Sequence, residues 1–188
     1  MKNIFGILAI AVTIAIGLAC SGFDDTAKAN AIVDEANKFV KTANDSVEKA
    51  EKLGTEFDKR VSAMKTEDDL AKTRDFAKDL IKEYESMIDN FKKSGDKFDE
   101  ASKLKLKDKH KEYLEIKAKE MKLRSDYSVE LKKIPQSLID SSNKAEFTSA
   151  VAKVVEKVRS MTSEAKDLGE KAEKIIKDNP DIMAQPKQ

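Results

Sequence analysis

The chain has 188 residues, and its 36 Lys and Arg residues balance 35 Asp and Glu residues. Proteins that bind nucleic acid carry a basic excess to meet the phosphates, so this balance argues against that class of partner. The length suits one domain with a sizeable core, and three prolines and six glycines among abundant Ala, Lys, Glu and Asp favour long helices over sheets.

The N-terminal segment differs from everything that follows. Lys2 is the only charge among the first twenty residues, and residues 4–19 are apolar apart from Gly6, Thr13 and Gly17. A basic start, an apolar run and a small residue before a cleavage point are typical of a secretory signal peptide. The run is shorter than the ~20 residues that a comfortable membrane span needs.

The apolar run ends in Gly17-Leu18-Ala19-Cys20, and Cys20 is the only cysteine of the chain. This segment resembles the lipobox of bacterial lipoproteins, in which an aliphatic residue and two small residues precede the cysteine that receives a lipid. Ala19 and Cys20 match, whereas Gly17 and Leu18 depart from the commonest order. The resemblance implies cleavage between Ala19 and Cys20 and acylation of Cys20. The mature chain would then be lipid-anchored in the bacterial cell envelope.

Ser21 follows the cysteine. If the organism is Gram-negative, Ser21 favours the outer membrane over the inner one, because an Asp at this position is linked to inner-membrane retention. Two alternatives stay open for the segment: an uncleaved N-terminal membrane anchor, and an ordinary secretory signal with an incidental cysteine. The mature chain has balanced charge, which predicts that nothing in it is strongly attracted to an anionic lipid surface, so that the lipid provides the anchoring.

The predicted organisation has four parts. Residues 1–19 form the signal peptide, residues 20–25 the acylated cysteine with a short tether, residues 26–179 a helical domain, and residues 180–188 a flexible tail.

The first helix is predicted over residues 26–64, with Asp24, Asp25 and Thr26 as cap residues. Apolar and small residues recur along it at alternating spacings of three and four, which indicates a helix with one buried stripe. One position of this repeat holds Val33, Val40, Val47, Gly54 and Val61, and the other holds Ala29, Ala36, Ala43, Ala50, Phe57 and Met64.

A tight turn at residues 65–66 leads to a second predicted helix over residues 67–93, for which Thr66 is the cap. Lysines followed by Ser94 and Gly95 form a helix stop, so we expect a break there and a third helix over residues 96–133. Phe91 and Phe98 stay in phase across Gly95, so one continuous kinked helix is the main alternative.

Ile134-Pro135 is expected to end the third helix, because proline disfavours a helical conformation in the residue before it. Residues 134–143 then form the longest connection. Asn143 and Glu146 resemble a capping box for a fourth helix over residues 143–178. The predicted fold is therefore all-α: an elongated antiparallel bundle of four helices, or of three if the second and third are continuous.

The sequence offers no set of residues for catalysis. His110 is the only histidine and lies among lysines, so we expect it on the solvated surface. A metal site needs several ligands at fixed spacing, and a phosphate loop or a Ser/His/acid set is also missing from the pattern. The chain is therefore predicted to be no enzyme and to need no metal or cofactor.

The leading functional hypothesis is a non-catalytic structural or protein-interaction module of the cell envelope. Its predicted partners are the membrane, through the lipid on Cys20, and an unidentified protein, but not nucleic acid. The connections at the end of the bundle far from Cys20 form the candidate partner-binding tip, comprising Lys65, Thr66, Glu67, Asp68, Pro135, Gln136, Ser141 and Asn143. The alternative is a carrier of a lipid or another amphipathic ligand inside the bundle, near Tyr84, Phe91, Phe98 and Tyr113.

Overall fold

The computed structural model describes residues 25–182 of the chain. The predicted signal cleavage between Ala19 and Cys20 and the predicted lipid on Cys20 lie outside the described residues. Residues 25–182 form four helices: α1 is Thr26–Ala63, α2 is Glu67–Ser102, α3 is Asp108–Asp140 and α4 is Lys144–Asp178. They form an antiparallel bundle, and no strand occurs in the described part of the chain. The all-α prediction is confirmed.

The predicted stripe of α1 forms its buried face. Val33, Ala36 and Phe57 are almost fully buried, as are the other predicted positions within the helix, whereas Met64 is partly buried and follows the end of α1. The core continues without a break through the other helices and reaches Ile182, beyond the predicted end of the bundle domain. The residues spaced by three and four along α1 therefore form one stripe that is buried against neighbouring helices, as expected for an amphipathic helix.

Neighbours in the bundle follow the order of the chain. α1 packs on α2, α2 on α3 and α3 on α4, whereas within residues 25–182 the backbones of α1 and α4 do not approach closely. The side chains of α1 and α4 meet at Phe57 and Phe147, whose rings lie edge to face with centroids 6.3 Å apart. α4 is thus joined to the bundle mainly through α3.

The predicted helix break at Gly95 is wrong, and so are the bounds 67–93 and 96–133. α2 continues through Gly95, and the link to α3 is at residues 103–107. A Cβ atom on Gly95 would lie 3.4 Å from the carbonyl oxygen of Ala118 and from the backbone nitrogen of Lys122. The contact therefore accepts a residue no larger than alanine, and the close approach of α2 and α3 at this point keeps Gly95 helical.

The predicted end of the third helix before Pro135 is also wrong. α3 continues through Pro135 to Asp140, so the connection to α4 shrinks to residues 141–143. Proline inside a helix removes one backbone hydrogen bond and is unfavourable in isolation. Here the additional turn buries Ile134 and Leu138 in the core, which offsets that loss.

Candidate functional site

The two connections of the predicted tip lie at the same end of the bundle. Arg74, near the start of α2, binds the last turn of α3. Its Nε donates to the carbonyl oxygen of Leu138 at 3.1 Å, and its Nη2 donates to the carbonyl oxygen of Ser141 at 2.6 Å. Hydrogen bonds from a charged donor are stronger than neutral ones, and these two satisfy carbonyls that the end of a helix leaves unpaired. Arg74 therefore fixes the α3–α4 connection against α2.

The α1–α2 turn is held by a capping box. The hydroxyl of Thr66 accepts from the backbone N–H of Asp69 at 3.1 Å, and Oδ2 of Asp69 accepts from the backbone N–H groups of Lys65 and Thr66, each at 3.0 Å. The hydrogen bonds to Asp69, led by that from the Lys65 backbone, lower the pKa of its carboxyl. The turn therefore has a defined backbone conformation at neutral pH.

The α3–α4 connection has its own cap. The side chain of Asn143 accepts from the backbone N–H of Glu146 at 3.0 Å. Oε2 of Glu146 accepts from the backbone N–H of Ser142 at 2.8 Å, one residue before the position expected for a strict capping box. Both caps predicted at the tip, Thr66 and Asn143, therefore begin helices.

The predicted tip residues differ in what they present to solvent. Pro135 and Ser141 are buried, so their side chains offer nothing to a partner. Gln136 is half-buried and donates to the carboxylate of Asp140. The exposed members are Lys65, Thr66, Glu67, Asp68 and Asn143. The accessible tip is therefore smaller than the sequence predicted and is centred on the α1–α2 turn.

A second polar cluster, which the sequence analysis missed, lies inside the bundle. Glu120 accepts from Lys117 Nζ at 2.6 Å through Oε2 and from Arg124 Nε at 2.8 Å through Oε1. The side chains of Lys117, Glu120 and Arg124 are 5%, 2% and 10% exposed. We call these three residues the buried ion triad. It carries two positive charges and one negative charge inside the core.

Aromatic rings and α4 enclose the buried ion triad. Lys117 Nζ lies 5.9 Å from the centre of the Phe98 ring, and the Arg124 guanidinium carbon lies 5.9 Å from that of Phe91. A Cβ atom on Gly169 of α4 would lie 3.5 Å from Glu120 Oε1. The aromatic faces favour the two cations, and the glycine lets α4 cover the carboxylate.

The spacing of residues along α3 indicates that this cluster lies in the core. Lys117, Glu120 and Arg124 continue, at spacings of three and four, the stripe that runs from Tyr113 to Tyr127. Their charges suggested a solvated face, although their positions belong to the core. His110 is a further member of that stripe, since it precedes Tyr113 by three residues. The prediction that His110 lies on the surface is wrong, because the structure buries it completely.

The chemistry available in this interior is limited. The Glu120 carboxylate already pairs with two cations, and burial raises the pKa of Tyr127 to about 12, although Arg124 beside it acts in the opposite direction. The Tyr127 phenol therefore stays protonated near neutral pH. Within residues 25–182, His, Cys, Asp and Glu side chains form no group of three that could hold a metal ion.

The described helices also lack a segment that is both long and apolar enough to cross a membrane. No protein-family model, curated protein or solved structure matches the chain. We therefore base the proposed function on the two ends of the bundle and on its interior.

Proposed function

We propose that the chain is a bacterial lipoprotein whose helical bundle is a rigid, non-catalytic interaction module, anchored through an acylated Cys20 and carrying a protein-binding tip. One observation carries the proposal: both connections far from the start of α1 are fixed at one end of the bundle by caps and by Arg74. The 38 residues of α1 rise by ~57 Å between that start and the tip.

The start of α1 supports the anchored end of this proposal. Asp25, five residues after Cys20, donates its backbone N–H to the carbonyl oxygen of Lys105 at 2.8 Å. The chain is therefore fixed to the bundle almost as soon as it leaves the proposed lipid. A short connection of this kind would hold the near end of the bundle at the membrane surface and the tip away from it.

Two features of the tip support the proposed protein-binding role, its exposed charges and its fixed backbone. Lys65, Glu67 and Asp68 are exposed and charged, on a turn whose backbone is held by the Thr66 cap. A fixed backbone reduces the entropy that binding would otherwise cost. Charged groups placed this way favour the encounter with a complementary protein surface.

The anchor is tested by mass spectrometry of the mature N-terminus. A chain that starts at Cys20 and carries a diacylglyceryl group is the expected result. An intact Met1 or an unmodified Cys20 would show that the anchored part of the proposal is wrong.

The tip is tested by chemical cross-linking in cells that express the full chain, followed by identification of the captured proteins. We expect the double charge reversal E67K/D68K to lose a partner that the native chain captures. The matched control is D45K/E48K, which reverses two exposed acids in the middle of α1 and should capture the partner as the native chain does. A partner retained equally by both variants would exclude the tip as its binding site.

The carrier function has less support from the interior. Tyr84, Phe91 and Phe98 are fully buried, and the buried ion triad lies directly against two of these rings. An acyl chain in this region would lie beside two cations and a carboxylate, where it gains little from leaving water. Lipid that co-purifies with a chain whose Cys20 is unmodified would favour the carrier function instead.

A further inference from the structure

The segment that joins α2 to α3 and includes the first turn of α3 has an unusual sequence, Lys-Leu-Lys-Leu-Lys-Asp-Lys-His-Lys, over residues 103–111. We call it the basic loop. Leu104 and Leu106 pack against the core, whereas the five lysines of the loop are exposed. The alternation of leucine and lysine thus places the apolar side chains inward and the ammonium groups outward.

The basic loop lies beside the start of α1. The backbone N–H of Lys105 donates to Oδ2 of Asp25 at 3.0 Å, and the backbone N–H of Asp25 donates to the carbonyl oxygen of Lys105 at 2.8 Å. These two reciprocal bonds connect the loop to a residue only five positions after Cys20. The loop is therefore at the end of the bundle from which the proposed anchor leaves.

Three of the lysines are available to a partner. Lys103 pairs with Asp99, and Lys109 pairs with Glu112. In the described part of the chain, the ammonium groups of Lys105, Lys107 and Lys111 form no ion pair. Asp108 is the only acidic residue inside the loop. The overall charge balance of the chain therefore hides a local positive excess.

We propose that the basic loop binds the anionic phospholipid headgroups of the membrane that holds the anchor. The inference rests on the proposed function, because the acylated Cys20 is what brings this end of the bundle to a bilayer. A lysine near an anionic surface strengthens association by about fivefold, and the attraction acts only within a Debye length of ~8 Å at physiological salt. The five residues of tether span at most ~17 Å, so the loop can reach the headgroups, and its attraction to them would set which end of the bundle faces the lipid.

The test measures lysine acetylation by mass spectrometry on the full chain reconstituted with vesicles. One vesicle preparation contains phosphatidylcholine alone, and the other also contains phosphatidylglycerol. Lys105, Lys107 and Lys111 should react severalfold more slowly with the anionic vesicles, and added salt should remove the difference. Lys65, at the far tip, should react equally with both.

A pair of matched variants tests whether the lysines cause the protection. K105Q/K107Q/K111Q removes the three available charges, and K41Q/K49Q/K59Q removes three exposed lysines of α1 that lie away from the loop. The reporter is Lys28, which is exposed near the start of α1. Association with the anionic surface should fall on the order of a hundredfold in the loop variant. In the native chain, Lys28 should be acetylated more slowly with the anionic vesicles. This protection should be lost in the loop variant and kept in the control.

Equal acetylation rates with both vesicles would overturn the inference, and so would protection that persists in the loop variant, since the tether alone would then explain it. The mass of Cys20 in the same spectra separates this result from a failure of the proposed function. If Cys20 is unmodified, the anchor is wrong. The lysine rates, measured with the same vesicles, then still decide whether the basic loop binds anionic lipid.

Discussion

Glu120 is the residue on which the interior of the bundle depends most. Its two carboxylate oxygens each accept from a different cation, and the side chain is almost completely buried. Taking ions out of water costs several kcal/mol for each ion, so a buried ion pair is roughly neutral for stability while complete. Removing one partner leaves the others without compensation. Glu120 is the only anion of the triad, so its loss would leave two buried cations.

We expect E120Q to lower the free energy of unfolding by about 3–5 kcal/mol, because the amide keeps the shape of the side chain but not its charge. Urea denaturation measures the change. E115Q, on the exposed face of the same helix, is the matched control and should change stability little. The triple variant K117M/E120L/R124M should be as stable as the native chain or more so. Equal effects of E120Q and E115Q would contradict the account of the triad.

At the scale of elements, the close contact between α2 and α3 explains why α2 continues through Gly95. Gly95 and the buried Ser94 form a notch in α2, and Ser125 of α3 donates its hydroxyl hydrogen to the carbonyl oxygen of Ile88 at 3.0 Å. Small residues let the backbones of α2 and α3 approach. This contact outweighs the local preference of Ser94 and Gly95 for ending a helix. Burial of Phe91 and Phe98 on both sides of the notch adds to the gain.

We expect G95L to lower the free energy of unfolding by about 1–3 kcal/mol, because atoms beyond Cβ have no room against the backbone of α3. G95A is the control. Its Cβ would make ordinary contacts at 3.4 Å, and alanine favours the helix by about 1 kcal/mol over glycine, so its stability should match or exceed that of the native chain. Thermal unfolding followed by circular dichroism compares the two. A destabilised G95A would show that the crossing is tighter than the structure indicates.

α1 could be predicted from the sequence because its stripe and its limits agree with the structure, although the side chain of Asp25 makes no cap hydrogen bond there. The ends of α2 and α3 could not, because Gly95 and Pro135 are helix-breaking residues by local preference. Their helical state is set by contacts with residues distant in sequence, such as Ala118 for Gly95. The buried ion triad was missed for another reason. The spacing of its residues along α3 places them in the core, whereas charged side chains are usually found on the surface.

At the scale of the whole molecule, the three tyrosines of α2 and α3 report on the packing of the interior. Tyr84, Tyr113 and Tyr127 are the only tyrosines, the chain has no tryptophan, and all three rings are buried. Burial is the main cause that raises the pKa of each phenol above its usual value near 10. The pKa of Tyr127 is raised to about 12.

These shifts predict the behaviour of the chain at high pH. A phenol whose pKa is higher in the folded state stabilises that state below pH ~10, and this contribution is lost as the pH rises further. We expect tyrosinate absorbance at 295 nm to stay low at pH ~10 and to rise together with the loss of helical circular dichroism. In urea, all three phenols should titrate near pH ~10. Tyrosinate that forms while the helices are intact would contradict the burial of these rings.

The division of charge between the two ends also belongs to this scale. Composition predicted a balanced chain, which is true of the whole sequence. The fold nevertheless places opposite charges at opposite ends of the bundle. The basic loop lies next to Asp25 at one end, and Glu67 and Asp68 lie on the exposed turn at the other. The sequence predicted Glu67 and Asp68 at the far tip. It did not predict the basic loop, because residues 103–107 were assigned to the interior of a helix over residues 96–133.

The cover that α4 places over Glu120 has a consequence for local unfolding. α4 is attached mainly to α3, and its second half, from residue 161 to residue 178, buries only Ala165 and Ala172 deeply. When this half lifts away, Met161, Ile175 and Ile176 lose their packing against the core, while Glu120 and its two cations regain water that folding had removed. Rehydration of the charges therefore offsets part of the cost of opening. We expect the second half of α4 to open locally at a lower free energy than α1, α2 and α3, which pack on one another in chain order.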